Sequence, residues 1–217
     1  MKEIGNIYLT WRKGRGSVRI PVGIIRNNAT QGVRFQYIPE EVKKAAELGF
    51  VSYEGFPDID KTYTENVIEI FGQRLIKSER VDTKAFYDFW GISPAFKDDN
   101  YYMLAFTQGI LPTDNFEFLT DFNLTPSLQF VTEITGLTGA KLPPDSLKIG
   151  DFLTYELEPE NPYDNKAVKL YKGDLYLGHV KLIHSRVFYK TNKTLSVKVQ
   201  HIEKNGVLNR AFIKVSS

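Results

Sequence analysis

Three side chains of distinct chemistry stand within four residues of one another in EPENPYDNKAVKL, the stretch from Glu158 to Leu170: Asn161, Tyr163 and Asp164. Pro159 and Pro162 push Glu158 and Asn161 toward extended backbone and remove two amide donors, so a strand entering this stretch stops pairing in a stiff bend. The side chains after the bend are presented instead of being buried in a ladder. Tyr163 offers a flat face on which a nucleic-acid base could stack, worth roughly 1–3 kcal/mol. Asn161 and Asp164 bring an amide and a carboxylate. A carboxylate is a poor ligand for phosphate and a good acceptor for a hydroxyl proton, so Tyr plus Asp in a basic surround would favour a strand end bearing a free hydroxyl. Downstream, GHVK spaces His179 and Lys181 by two, on one face of a strand, where both could meet backbone phosphate. The competing reading is an Asx/Pro turn, in which Asn161 and Asp164 cap local backbone donors and Tyr163 covers a core edge.

Other chemistries find little here. The sequence lacks a Walker A lysine loop, a G-x-S-x-G elbow, an H-E-x-x-H pair and a kinase catalytic loop. It has no cysteine, which removes thiol catalysis, disulfides and Cys-containing zinc sites. Its three histidines, His179, His184 and His201, give a His-based metal site little to work with. The GRG at Gly14–Gly16 reads as a hairpin turn, and Asp98 and Asp99 read as loop charge. No catalytic residue, metal or cofactor is expected.

The elements that would position the trio are mostly strands. In the first half, IGNIYLTW, VRIPVGIIR and VRFQYI read as strands joined by RKGRGS and NNATQG turns. PEEVKKAAEL reads as a helix with Pro and Glu in its first turn and Gly49 just past its end. Apolar spacing from Tyr63 to Trp90 predicts two helices broken near Ser78 to Asp82, the second opened by Asp82 or Thr83. YYMLAFTQ fits helix or strand, and TDNFEFLTDF includes a short strand. A boundary falls in TDFNLTPS, Thr120 to Ser127, dividing domains 1–122 and 127–217. The second domain reads as strands LQFVTEIT, DFLTYELE, AVKLYK, LYLGHV, LSVKVQHIEK and VLNRAFIKV. KGD and the Asn205–Gly206 pair make tight turns, and KLIHSRVFYK one short helix. Such a run of short strands predicts a small barrel or half-barrel. The fold class is therefore α+β and β-rich.

With 217 residues and 42% hydrophobic content the chain has ample core material. No apolar run approaches the roughly 18 residues of a membrane helix, and the first fifteen residues lack a signal-peptide core, so a soluble, cytoplasmic protein with no membrane partner is expected. The net charge of +2 conceals an asymmetry. Residues 1–36 carry +6, residues 37–126 carry −8, residues 127–165 carry −5 and residues 166–217 carry +9. A basic carboxyl-terminal block suits a polyanion partner, and equally a solvated lysine-rich surface.

LEPENPYDNKAVKLYKGDLYLGHVK resembles the signature of HIRAN domains, an EP-x-NPYD-x-x-A-[IV]-x-V segment followed by a strand ending in G-[HY]-[VIL]. The match is close over Gly150–Lys181 and covers the second domain in outline. The resemblance implies an OB-like barrel fused, in family members, to DNA repair helicases and nucleases, and binding of single-stranded DNA at a free 3′ hydroxyl. It implies a DNA-binding set of Asn161, Tyr163 and Asp164 at the terminal nucleotide and His179, with Lys181, near phosphates. The sequence departs from the family where the first barrel strand often carries an Arg-Tyr-Tyr-like cluster: Thr132, Glu133 and Thr135 stand there. Leu182 replaces a second basic residue after G-H-V-K.

The first domain is similar, less specifically, to the N-terminal subdomain of HipA-type serine/threonine kinases, through IYLTW, RIPVGIIRNN, GVRFQYI, GFPDID, FGQRL and GILPTDNFEFL. Phe35, Tyr37, Arg74 and Leu75 take the places of family positions. In some toxin–antitoxin operons that subdomain is a separate protein that neutralises a truncated kinase. The expectation is thus a non-catalytic DNA-binding protein with an amino-terminal protein-interaction domain. The alternative is an antitoxin-like regulator of a HipA-like kinase.

Overall fold

The structure, a computed structural model, describes residues 3–14, 16–76, 83–140, 142–143, 145–205 and 207–217. Arg15, the expected break at Ser78–Asp82 (residues 78–82), and Gly206 of the Asn-Gly turn lie outside the described residues. The chain forms two compact units. One holds residues 4–87 and 92–121; the other holds residues 122–217 together with residues 1–3 and 88–91.

The first unit is built on a four-stranded sheet ordered β3-β2-β1-β4. Its strands are β1 (Ile4–Trp11), β2 (Ile20–Asn28), β3 (Gly32–Tyr37) and β4 (Phe116–Phe122). β1, β2 and β3 form an antiparallel meander. Helix α1 (Pro39–Ala46) begins on proline, carries Glu40 and Glu41 in its first turn, and is followed by Gly49 at φ +100°. That arrangement matches the asymmetry of helix ends. Helix α2 spans Val67–Gly72 and α3 spans Thr83–Trp90. YYMLAFTQ resolves as helix: α4 (Asn100–Thr107) is capped by the Asp99 carboxylate, which accepts the Tyr102 N–H at 2.9 Å. Every residue from Tyr101 to Thr107 is buried, so no polar face was there to betray the helical period.

The core of this unit is aromatic. Phe35, Phe56, Phe71 and Phe118 are fully buried, with Phe35–Phe71 and Phe71–Phe118 ring centroids 5.1 and 4.9 Å apart in edge-on contact. The Tyr37 hydroxyl donates to the Phe56 carbonyl at 2.7 Å and accepts the Tyr53 N–H at 2.8 Å. Burial pushes that phenol up to about 12. Arg74 is buried over the Tyr53 ring, its guanidinium gripping both oxygens of Asp114 and donating to the Gly109 carbonyl at 2.9 Å.

The second unit is a closed barrel, ordered β10-β5-β8-β7-β6-β9. The strands are β5 (Gln129–Thr135), β6 (Phe152–Glu158), β7 (Ala167–Lys172), β8 (Leu175–Val180), β9 (Ser196–Asn205) and β10 (Val207–Ser216). Every strand pair given by register is antiparallel, and closure leaves no sheet edge to cover. Val168, Leu170, Leu177, Val197, Val199, Ile213 and Val215 fill the interior. Each such side chain contributes roughly 1.5–3 kcal/mol on burial. KLIHSRVFYK folds as a 3₁₀ helix over His184–Lys190, whose Phe188 meets Tyr155 at 4.8 Å between ring centroids.

Candidate functional site

The Pro-bracketed stretch is the bend between β6 and β7, and Asn161 is its internal organiser. The Asn161 Oδ1 accepts the backbone N–H of Tyr163 at 2.9 Å and of Asp164 at 3.1 Å. Its Nδ2 donates to the Glu158 carboxylate at 2.8 Å. The Asp164 Oδ1 accepts the Lys166 N–H at 2.9 Å, while the Asp164 carbonyl accepts the Ala167 N–H at 2.9 Å. These are the local caps of an Asx turn. The Tyr163 ring, however, covers no core edge: the residue is 92% exposed. The two readings of the sequence thus each hold in part, for the turn is capped internally and it displays an aromatic ring to solvent.

Asn161 has committed both faces of its amide, so it holds the loop and has little left for a ligand. Asp164 differs. Its second carboxylate oxygen has no hydrogen-bond partner among the described residues, and it is the acceptor beside Tyr163.

Sequence reasoning missed the hub of this site, Glu158. Its Oε1 lies 2.7 Å from the Lys169 ammonium, and its Oε2 accepts from Asn161 at 2.8 Å and from His179 Nε2 at 3.0 Å. Hydrogen bonds from Lys169 first, then Asn161 and His179, hold the Glu158 carboxyl at about 2. One carboxylate therefore ties the end of β6 to the bend, to β7 and to β8. The hub is a product of register that the sequence does not show: Glu158 pairs with Ala167, which puts Lys169 on the diagonal, and Lys169 pairs with His179 on the next strand.

His179 reaches this hub because β8 carries a bulge. Leu170 pairs with Gly178 but Tyr171 pairs with Tyr176, leaving Leu177 as an extra residue on β8. The bulge puts Tyr176 and His179 outward together while Leu177 and Val180 point inward. The Tyr176 hydroxyl lies 3.1 Å from His179 Nδ1. Since a carboxylate only accepts, Nε2 carries the proton toward Glu158, and in the neutral ring Nδ1 accepts from Tyr176. The motif glycine has its own cause. Gly178 sits at φ +136°, and a Cβ there would lie 2.2 Å from the Thr135 carbonyl oxygen of β5.

Lys181 does not share the outward face expected of it. β8 ends at Val180, and the Lys181 side chain is fully buried with its ammonium 3.4 Å from Glu133. Period-two spacing fails because the strand stops one residue short and the chain turns inward, where the Lys181 carbonyl accepts the Ser185 N–H at 3.1 Å. A buried ammonium cannot meet a phosphate from solvent.

The first-strand departures are also explained by internal work. Thr132 is buried, with its Oγ1 2.8 Å from His184 Nδ1. Glu133 accepts from Arg210 at 2.8 Å and pairs with Lys181. The Thr135 hydroxyl donates to the His179 carbonyl at 3.2 Å. Near the bend, the Lys166 ammonium lies 4.6 Å over the Tyr189 ring, and the Tyr189 hydroxyl donates to the Ala167 carbonyl at 2.8 Å. The result is an exposed tyrosine and an open carboxylate oxygen, with Lys166 two residues beyond Asp164, on a bend whose entry at Glu158 is held by Lys169 and His179.

No protein-family model matches the chain, and no curated protein matches it. Among solved structures it is similar to the HIRAN domain of human HLTF, at 16% identity and a TM-score of 0.32, over 40% of this chain and 74% of that one. It is also similar to a protein from Lactobacillus plantarum, at 14% identity and a TM-score of 0.35, over 41% of this chain and 92% of that one. Among the described residues no helix is long and apolar enough to cross a membrane.

Proposed function

We propose that the barrel unit binds single-stranded DNA at an end bearing a free 3′ hydroxyl, without catalysing a reaction on it. The observation that carries this reading is the pairing of a 92% exposed Tyr163 with an open Asp164 oxygen on a bend fixed from within by Asn161. Tyr163 would stack the terminal base. Asp164 would accept the terminal hydroxyl proton and repel a terminal phosphate. Lys166 supplies positive charge for the adjoining backbone, while Lys169 is held by Glu158. The HIRAN-like motif of the sequence points to the same ligand and to Tyr163 and Asp164, whereas Lys181 is withdrawn from the contact set and Asn161 and His179 become positioning residues. The amino-terminal unit is assigned to a protein contact on its sequence resemblance alone.

The test is a fluorescence anisotropy titration of the full chain against oligonucleotides that differ only in a 3′ hydroxyl or a 3′ phosphate. The hydroxyl end should bind more tightly, and Tyr163→Ala and Asp164→Ala should each weaken it. Equal affinity for the two ends would refute hydroxyl recognition.

A further inference from the structure

On the opposite end of β6 from Glu158 the barrel carries a second aromatic and basic feature. Phe152 is 68% exposed on the outer face of β6, while its neighbour Leu153 points into the core. Phe152 pairs with Lys198 on β9, and Lys198 pairs with Lys214 on β10, so the three occupy one outward row across three strands. The Lys198 ammonium stands 5.4 Å from the centre of the Phe152 ring. Its stem passes Gly150, where an added Cβ would lie 3.9 Å from Lys198 Cε. Ile149, in the loop leading into β6, is 64% exposed.

The charges in this row are uncommitted. Among the described residues, neither Lys198 nor Lys214 has a carboxylate within ion-pair distance. The carboxylate nearest in the chain, Asp151, is neutralised by the Lys172 ammonium at 2.6 Å and accepts the Lys148 N–H at 2.7 Å. An exposed ring at one end of a strand row, with two unpaired cations along it, is the composition of a single-strand platform, stacking bases on the ring and taking phosphates on the lysines. A polyanion fits the charge, and a polyanion with flat apolar faces fits the phenyl ring as well.

We propose that the row Phe152–Lys198–Lys214 is a second contact for single-stranded nucleic acid, placing a base on Phe152 and phosphate on Lys198 and Lys214. The proposal deepens the end-binding reading and rests on it for the identity of the ligand. β6 runs from Phe152 to Glu158, about 20 Å at roughly 3.3 Å per residue, so one strand held at its end by Tyr163 continues along β6 to reach Phe152. That span lies within the site sizes of about 4–16 nucleotides covered by barrels of this kind.

The experiment measures anisotropy with oligothymidines of three and twelve nucleotides, each with 3′ hydroxyl and 3′ phosphate ends, against the full chain and its Phe152→Ala, Phe152→Tyr and Lys198→Glu variants. Phe152→Ala and Lys198→Glu should each weaken the twelve-nucleotide strand about tenfold and leave the three-nucleotide strand unchanged. Phe152→Tyr, which keeps the ring, should bind as the parent does. The preference for hydroxyl over phosphate should be the same in all four proteins. Unchanged affinity of Phe152→Ala for the longer strand overturns the second contact while leaving end recognition standing. Loss of the hydroxyl preference in the parent, with the length and Phe152 dependence intact, removes end recognition and supports the row as a strand-binding surface. Polyglutamate competing as well as oligothymidine for the same row assigns it to an acidic polypeptide and overturns the proposal.

Discussion

The imidazole Nε2 of His179 and the carboxylate of Glu158 lie 3.0 Å apart, joining the bulged strand β8 to the strand that enters the Pro-bracketed bend. Lys169 and Asn161 converge on the same carboxylate. The loop that displays Tyr163 is thereby anchored to two neighbouring strands through a single ionised group. Its rigidity is an electrostatic property of the barrel as well as a consequence of two prolines.

That anchoring sets a pH dependence. The Glu158 carboxyl titrates at about 2 in the folded protein against an ordinary 4.5. As pH falls the unfolded chain takes up this proton first, so the stabilisation is complete above about 4.5 and is lost progressively down to about 2. Urea denaturation between pH 2 and 6 should show a steeper acid loss of barrel stability in the parent than in Glu158→Gln. Parallel curves for the two proteins would refute the anchoring role.

Asn161 and Tyr163 should separate stability from binding. Removing the Asn161 side chain leaves the Tyr163 and Asp164 amides without their acceptor, at a cost of about 1 kcal/mol. Tyr163 covers nothing, so Tyr163→Ala should change stability by less than about 0.5 kcal/mol. Denaturant midpoints combined with DNA titration give the pattern expected: both variants bind weakly, and Asn161→Ala alone is destabilised.

The strands were legible in the sequence because turn residues punctuate them and because barrel strands alternate, as Val197, Lys198 and Val199 do between interior and solvent. α4 was ambiguous because all its visible faces are apolar. The bend at residues 158–164 could be placed from its prolines, but its anchoring could not, since Glu158 meets Lys169 and His179 through strand register. The inward turn of Lys181 was hidden for a related reason. Alternation predicts a side chain's direction while the strand lasts, and nothing local marks the end of β8 at Val180.

Gly178 should tolerate no side chain. Alanine there would place its Cβ 2.2 Å from the Thr135 carbonyl oxygen and adopt a φ of +136°. The contact lies where β5 and β8 pair, so the barrel must open to relieve it. Gly178→Ala should cost about 3 kcal/mol or more in thermal or urea denaturation, far more than His179→Ala. A well-folded Gly178→Ala protein of parental stability would contradict this account of the motif glycine.

Arg74 plays a structural part in the other unit. Its guanidinium holds Asp114 and the carbonyls of Gly109 and Phe116 while lying 5.7 Å from the Phe118 ring centre. Arg74→Ala strands these acceptors and should destabilise the unit by about 3 kcal/mol. Lysine keeps the charge but loses the fork, so Arg74→Lys should recover less than half of the loss, as read from denaturant midpoints.

Lys181 provides the sharpest separation between a lysine that binds phosphate and one that supports the barrel. A phosphate-contacting lysine, when removed, weakens binding and lowers the slope of log affinity against log salt by about 0.7 on a single strand. Lys181 is fully buried against Glu133, so its removal leaves that slope unchanged. Stability falls instead, by about 3 kcal/mol, because the largely buried Glu133 carboxylate loses the Lys181 ammonium. Arg210 remains beside Glu133 at 2.8 Å and keeps the loss from being larger. Lys181→Ala should therefore shift the denaturation midpoint while its salt dependence for oligonucleotide binding overlays the parent's. Lys198→Glu should do the reverse, since its ammonium is exposed and makes no ion pair among the described residues. A reduced salt slope in Lys181→Ala at unchanged stability would return this lysine to the binding surface.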